Sequence, residues 1–241
     1  MSGTDVATRP RLGAAADRRA EPASILIVEN HEMLAEALEL ALSARGYSCT
    51  VARLEAGRSV LQQAAELRPQ LVLLDLYLDE ADGLDFVAGL RATGAKVLVV
   101  TGCNDEDHVA AALALGASGW VSKAQPFEHL LDAAEATLRN QPLIPEADYR
   151  ELIERGRQRL IVEQDAHRRL AQLTARERQV LWALSEGESA GDIAVTFFVS
   201  VGTVRTHIQG ILGKLGVSSQ LAAVAMARLL FTPDGPPPRS N

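Results

Sequence analysis

Five short apolar runs alternate with helical segments in the first 140 residues, and this alternation strongly limits how the chain can fold. Residues 24–28, 71–74 and 96–100 are nearly continuous runs of Ile, Leu and Val, and residues 48–52 and 119–122 are weaker ones. Such runs are typical of strands buried on both faces. Because a segment with helical spacing follows each run, the pattern predicts a five-stranded parallel sheet with helices on both faces.

Polar residues stand where these strands end. Glu29 and Asn30 follow the first strand, Asp75 the third, Thr101 the fourth and Lys123 the fifth. Ligands bind where the carboxyl ends of parallel strands meet. This set suits phosphoryl transfer to Asp75, with Mg²⁺ neutralising some phosphoryl oxygens and with Lys123 and Thr101 holding the others. Taken alone, Asp75 has a helix cap or a turn residue as the alternative interpretation, but it does not stand alone.

The segments around these strand ends resemble the receiver domains of response regulators. The resemblance covers residues 24–140 and rests on residues 25–31, 73–75, 82–84, 99–102 and 119–123. It implies a flavodoxin-like fold with Asp75 as the phospho-acceptor and Thr101 and Lys123 as the phosphate-sensing pair. Trp120 takes the place of the aromatic switch residue, and packing at the sheet edge explains it as well.

The same resemblance implies a Mg²⁺ site formed by Glu29, Asn30 and Asp75. Asn30 stands where the family usually has a second acid, and Asp79 stands where it favours proline. A neutral ligand lowers the affinity for Mg²⁺, because ligand charge sets much of that affinity. Two interpretations therefore stay open: a receiver switched by phosphorylation, and a degenerate receiver that works without it. For His31, the position at a helix start predicts a capping or surface role.

Residues 141–168 have a different composition, with two prolines at the start and mixed charge afterwards. They predict a helical linker. Two interpretations are open for it, a solvated helix and a pair of dimerising helices, because no clean heptad repeat is sustained.

The segment 169–231 predicts four short helices. Thr174 and Glu177 form a capping-box pattern, Ser200 precedes a helix over residues 201–215, and Gly216 ends it. These residues, together with Asp192-Ile193-Ala194 and Thr203-Val204-Arg205-Thr206-His207-Ile208, resemble the DNA-binding domain of the NarL/LuxR class. The resemblance implies an all-α helix-turn-helix domain, joined to the α/β domain by the linker.

The helix over residues 201–215 is then the recognition helix, whose N-terminal part faces the base edges in the major groove. Arg205 can read guanine or hold a phosphate, and Gln209 lies one turn further on and can read adenine. Thr206 is expected at a thymine methyl or a phosphate, and Thr203 and Lys214 at phosphates. His207 either touches DNA or packs on a neighbouring helix.

Charge separates the two halves of the chain. Residues 24–140 have 8 Lys and Arg against 17 Asp and Glu, a net −9, whereas residues 168–231 have 7 against 4, a net +3. This asymmetry indicates different partners for the two domains. We expect double-stranded DNA, a sensor histidine kinase and a second copy of this chain as partners.

Several features define the class of protein further. No apolar run approaches the roughly 20 residues that cross a bilayer, so we expect a cytoplasmic protein without a membrane segment. Cys49 and Cys103 are expected to be buried free thiols, and residues 1–23 and 232–241 disordered tails. An enzyme on a flavodoxin-like sheet is the remaining alternative, but no glycine-rich phosphate loop follows the first strand. We therefore expect a two-component transcription factor and not an enzyme.

Overall fold

A computed structural model of the chain describes residues 22–54, 59–79, 81–102 and 105–228, with only the backbone of Arg228. Cys103 and nearly all of the two expected tails lie outside these residues. Cys49 is a free thiol, and it is half-buried instead of buried. The strands are β1 Ser24–Val28, β2 Ser48–Val51, β3 Leu71–Leu74, β4 Tyr77–Leu78, β5 Ala81–Asp82, β6 Lys96–Thr101 and β7 Gly119–Ser122. The helices are α1 Glu32–Ala44, α2 Val60–Leu67, α3 Leu84–Ala92, α4 Glu106–Ala114, α5 Phe127–Leu138, α6 Glu146–Ala171, α7 Ala175–Ser185, α8 Ala190–Thr196, α9 Val201–Leu215 and α10 Gln220–Arg228.

The predicted five-stranded parallel sheet is confirmed, in the order β2-β1-β3-β6-β7. This order is the flavodoxin-like one. Successive side chains of a strand point to opposite faces. Accordingly Leu26 and Val28 join one buried cluster, whereas Ile25 and Ile27 join a second cluster on the other side of the sheet.

The strand register determines which strand ends lie side by side. Val28 pairs with Leu74, so Glu29 and Asp75 follow at the same level of neighbouring strands. Thr101 pairs with Ser122 at the end of β6 and β7, which places Lys123 next to it.

A two-stranded antiparallel hairpin, β4 and β5, follows Asp75 directly. No pattern in the sequence predicted this hairpin. After β5 the chain comes back close to Asp75 at Gly83, whose N–H donates to the Leu76 carbonyl oxygen at 2.8 Å. A Cβ on Gly83 would overlap the carbonyl oxygen of Asp75, so only glycine allows this close approach.

The linker is helical, as the sequence predicts, and the structure bears on its solvated-helix interpretation. A single 26-residue helix, α6, runs from Glu146 to Ala171. One face of it packs on the sheet core and on α4, through Tyr149, Leu152 and Ile153 among others. It is therefore not simply a solvated helix, because part of its apolar stripe is used within the chain.

Helices α7 to α10 surround a third buried cluster, as the all-α prediction requires. The capping box of Thr174 and Glu177 is present, and Ser200 accepts from the N–H of Thr203 at the start of α9. Gly216 ends α9 in the left-handed conformation, at φ 67°.

Glu177 connects two of these helices. Its Oε2 accepts from the Thr174 N–H at 2.7 Å and from the Lys214 Nζ at 2.6 Å. Burial raises the pKa of Glu177, but the hydrogen bonds from Lys214 and Thr174 outweigh it, and the net effect lowers the pKa below its ordinary value. The ionised form is thus the one that the fold stabilises.

We predict that Glu177→Ala destabilises the C-terminal helices by about 1–3 kcal/mol, because two donors lose their acceptor. Urea unfolding followed by Trp182 fluorescence in a Trp120→Phe background measures this. Glu177→Gln keeps a capping acceptor and is the matched control for charge. Since the folded pKa is lowered, the stability difference between wild type and Glu177→Gln should be constant at neutral pH and shrink below about pH 4. A difference that grows on acidification would contradict this.

Candidate functional site

Two buried carboxylates share one ammonium group at the carboxyl end of the sheet. Lys123 Nζ lies 2.6 Å from Asp75 Oδ2 and 2.6 Å from Glu29 Oε2. Both carboxylate side chains are about 2% exposed. The structure therefore brings together three of the residues that the sequence placed at this site.

The other oxygen of Asp75, Oδ1, accepts from the N–H of Tyr77 at 3.1 Å. Burial raises the pKa of Asp75 and Glu29 adds to this effect, whereas Lys123 and the Tyr77 N–H act in the opposite direction. Asp75 is thus a poorly hydrated carboxylate that faces a cation, an arrangement suited to a nucleophile in phosphoryl transfer.

The Asn30 side chain makes a hydrogen bond that an ionised acid at the same position could not donate. Its Nδ2 donates to Asp79 Oδ1 at 2.9 Å. Its Oδ1 is buried and has no hydrogen-bond partner within the described part of the chain. An orphaned carbonyl oxygen on the residue that follows Glu29 fits a hard cation such as Mg²⁺, which takes oxygen ligands. Glu29, Asn30 and Asp75 would hold the ion.

His31 also faces this site. It occupies the N-cap position of α1 but makes no side-chain capping bond, and its Nδ1 lies 2.8 Å from Glu29 Oε1. One ligand-capable atom from each of Glu29, His31 and Asp75 lies within 4.8 Å of the others. Of the capping or surface role predicted for His31, the surface position is confirmed and the cap is not, and nothing in the spacing indicated the contact with Glu29.

Thr101 is buried at the end of β6, and Trp120 is half-buried on β7. The indole Nε1 of Trp120 is shielded from solvent and has no hydrogen-bond partner among the described residues. An indole N–H usually finds a partner when it is buried. The Trp120 N–H therefore lacks the hydrogen bond that would offset the cost of its burial.

Three further residues connect the hairpin to α4, and the sequence did not indicate that they are in contact. His108 Nε2 lies 2.9 Å from Asp82 Oδ1, and the His108 ring stacks on Tyr77 with 5.4 Å between centroids. Burial raises the pKa of Asp82, but His108 and the Leu84 N–H outweigh it and hold the pKa below its ordinary value. The hairpin after Asp75 is thus attached to α4.

A second candidate site is the outer face of α9. Of the residues expected at DNA, the side chains of Thr203, Arg205, Thr206 and Gln209 are exposed. The hydroxyl of Thr206 donates to the Gly202 carbonyl oxygen at 3.1 Å, so the methyl group is the part left for a base. Lys214 is the exception, since it pairs with Glu177. His207 is half-buried.

The fold and the two sites define a class: an α/β domain with buried carboxylates at its strand ends, joined to a helix-turn-helix. Comparison with known families agrees with this. Residues 25–135 match the response regulator receiver domain, and residues 171–227 match the luxR family of bacterial regulatory proteins. The chain belongs to the response regulators that combine a receiver domain with a LuxR-type DNA-binding domain.

Individual relatives are similar over most of their length. The response regulator protein VraR of Staphylococcus saprophyticus is 28% identical over 208 residues, which is 86% of this chain and 96% of VraR. The transcriptional regulatory protein YdfI of Bacillus subtilis is 29% identical over 204 residues, 84% of this chain and 94% of YdfI. The solved structure of the response regulator ChrA, of a heme-sensing two-component system, is 25% identical with a TM-score of 0.43 and covers 87% of this chain and 98% of ChrA.

Within the described ranges, no single helix has the length and apolar content to cross a membrane. Helices α9 and α10 meet these criteria only as a pair bent by 64°.

We predict that the double variant Asn30→Asp, Asp79→Asn binds Mg²⁺ roughly tenfold more tightly than wild type, because it adds a carboxylate to the ligand set. Asn30→Asp alone should gain less, since the new carboxylate would then face Asp79. Isothermal titration calorimetry measures both affinities, and Asp79→Asn alone is the control. Equal affinities for wild type and the double variant would rule out Asn30 as a ligand position.

Proposed function

We propose that DNA binding by this response regulator is controlled by phosphorylation of Asp75. The observation that carries the proposal is the contact of Lys123 with both Asp75 and Glu29. It holds a nucleophilic carboxylate next to a cation that can follow a phosphoryl group.

In the proposed reaction, one oxygen of Asp75 attacks the phosphorus of the donor, the bond from phosphorus to the donor breaks, and an acyl phosphate forms. Lys123 then exchanges its contact with Asp75 for one with a phosphoryl oxygen, and Thr101 binds another. A bound Mg²⁺, held by Glu29, Asn30 and Asp75, would supply neutralisation of the phosphoryl charge.

We predict that the purified protein, incubated with Mg²⁺ and a small phosphodonor such as acetyl phosphate, gains the mass of one phosphoryl group. Asp75→Asn should gain none, because an amide is not a nucleophile for this transfer. Intact-mass spectrometry measures the gain. Asp79→Asn is the matched control, since it makes the same change on a nearby carboxylate. A gain that persists in Asp75→Asn would assign the acceptor elsewhere.

One observation favours a second candidate function, in which the receiver works without phosphorylation and DNA binding depends on dimerisation or a ligand. Asn30 reduces the charge of the metal site, and its amide is already hydrogen-bonded to Asp79. This candidate predicts no mass gain in wild type and equal DNA binding by wild type and Asp75→Asn.

For DNA we propose that α9 enters the major groove and that Arg205 and Gln209 read base edges, with Thr206 contributing its methyl group. Thr203 lies beside the helix N-terminus and is proposed at a phosphate. Lys214 can reach a phosphate only by leaving Glu177, so its contribution is proposed to be smaller.

We predict that Arg205→Ala lowers affinity for a DNA site selected from a random pool by about tenfold or more, because a guanine or phosphate contact is lost. Fluorescence anisotropy at fixed salt measures this. Arg168→Ala is the matched control, since Arg168 is an exposed arginine on α6 with its partner on the same helix. Equal losses for both variants would indicate a general charge effect.

We also propose that the receiver domain spans residues 24–140, the linker 141–168 and the DNA-binding domain 169–231, with tails outside them. A sensor histidine kinase would supply the phosphoryl group in the cytoplasm. Two copies would bind DNA half-sites about one helical turn apart.

A further inference from the structure

The N-terminal half of α6 is seated on the receiver domain by a single apolar stripe. Tyr149, Leu152, Ile153 and Leu160 recur at helical spacing and pack against the same cluster as the sheet. The Tyr149 hydroxyl also donates to the Ala117 carbonyl oxygen at 3.1 Å. α6 therefore has a defined position on the receiver.

Gly156 sets how closely α6 approaches α4. It is buried in the middle of this stripe. A Cβ at this position would overlap the carbonyl oxygen of Ala110 and lie 2.9 Å from the backbone nitrogen of Ala111, both in α4. Glycine in a helix interior costs roughly 1 kcal/mol relative to alanine. Close contact with α4 accounts for its presence.

Ion pairs flank this contact at the start of α4. Arg155 lies 3.2 Å from Glu106 and 3.1 Å from Asp107, and Arg159 lies 3.8 Å from Asp105. Exposed pairs of this kind are worth about 0–1 kcal/mol each. These ion pairs add little to the stability of the contact, but they determine which residues of α6 lie next to the start of α4.

A short series of contacts connects this seat to the phospho-acceptor. Arg159 Nη2 lies 3.5 Å from His108 Nδ1, and the His108 ring contacts both Asp82 and the Tyr77 ring. The N–H of Tyr77 donates to Asp75 Oδ1. An atom of α6 is thus connected to the reacting carboxylate through two residues, His108 and Tyr77.

The other end of α6 reaches the DNA-binding domain. Arg169 Nη1 donates to the Leu215 carbonyl oxygen, in the last turn of α9, at 2.9 Å. Leu170 packs against the core of the C-terminal helices. Because α6 is one continuous helix, about 39 Å long at 1.5 Å per residue, a change at its seat moves its far end as well.

We propose that α6 is a strap whose seat on α4 is released when Asp75 is phosphorylated, and that His108 couples the two events. The proposal rests on phosphorylation of Asp75 as proposed above. When Asp75 becomes an acyl phosphate, its Oδ1 loses the carboxylate charge and accepts less strongly from the Tyr77 N–H. The hairpin then shifts, and the contact of His108 with Arg159 weakens. Release of α6 then lets the DNA-binding domain, which Arg169 holds to α6, move relative to the receiver.

Coupling between two sites is reciprocal, so loosening the strap must favour the phosphorylated state. The phosphoryl analogue beryllofluoride, with Mg²⁺, tests this in the full-length protein. Affinity is measured by titration calorimetry, and exposure of α4 and α6 by amide hydrogen exchange. The main variant is Gly156→Ala, which inserts a Cβ at the contact. Gly191→Ala, in α8, is the matched control, because its Cβ meets only the Ser189 Oγ at 3.5 Å.

In wild type, beryllofluoride should increase exchange in residues 149–160. Gly156→Ala should show this increase without the analogue and bind beryllofluoride about fivefold or more tightly, at the low end of typical coupling. Gly191→Ala should resemble wild type. Arg159→Gln removes no buried apolar group, so it covers the case in which Gly156→Ala fails to fold, and it should shift affinity in the same direction.

Other results overturn the proposal. If wild type binds beryllofluoride but exchange in residues 149–160 does not change, the strap is not coupled to Asp75. If Gly156→Ala loosens α6 while its affinity stays that of wild type, and Arg159→Gln also leaves it unchanged, coupling is absent. If wild type does not bind beryllofluoride at all, the proposed control by phosphorylation fails, and the strap mechanism fails with it.

Discussion

Lys123 places one positive charge between the carboxylates of Glu29 and Asp75, at a point where water hardly reaches either of them. Removing a carboxylate from water costs several kcal/mol unless a partner offsets it. The five-stranded sheet makes the offset possible, because its register brings β1 and β3 to the same level and ends β7 just before Lys123. The surrounding apolar strands then keep the dielectric low and make this ionic contact strong.

The balance of charge in this group explains why Asn30 matters. The two carboxylates and Lys123 sum to a charge of −1, and an acid at position 30 would make it −2. With Asn30, a divalent cation is attracted less strongly, but an incoming phosphoryl group is also repelled less strongly. Asn30 also donates an amide proton to Asp79, a hydrogen bond that an ionised acid at position 30 could not donate. Asn30 and Asp79 are therefore best understood as a pair.

The sequence predicted the sheet and the residues at its ends well, because buried parallel strands have continuous apolar runs and their ends are fixed by topology. It also predicted α9 and its caps, since Ser200 and Gly216 act locally. It did not predict that Lys214 pairs with Glu177 or that His108 lies between Tyr77 and Asp82. These contacts join residues 26 to 37 positions apart, and their geometry depends on how helices pack, which no local pattern contains. The seat of α6 was missed for the same reason.

The composition of α6 suits a helix that can occupy two positions. Its apolar stripe is narrow, and most of its other side chains are charged, although Ile161 and Val162 are also exposed. Its flanking ion pairs are exposed and add little. Gly156 allows close packing on α4 but also lowers the intrinsic stability of the helix. A longer apolar face would fix α6 permanently, and a fully polar one would never bind. The partly buried stripe from Tyr149 to Leu160 lies between these limits, as the proposed release of α6 requires.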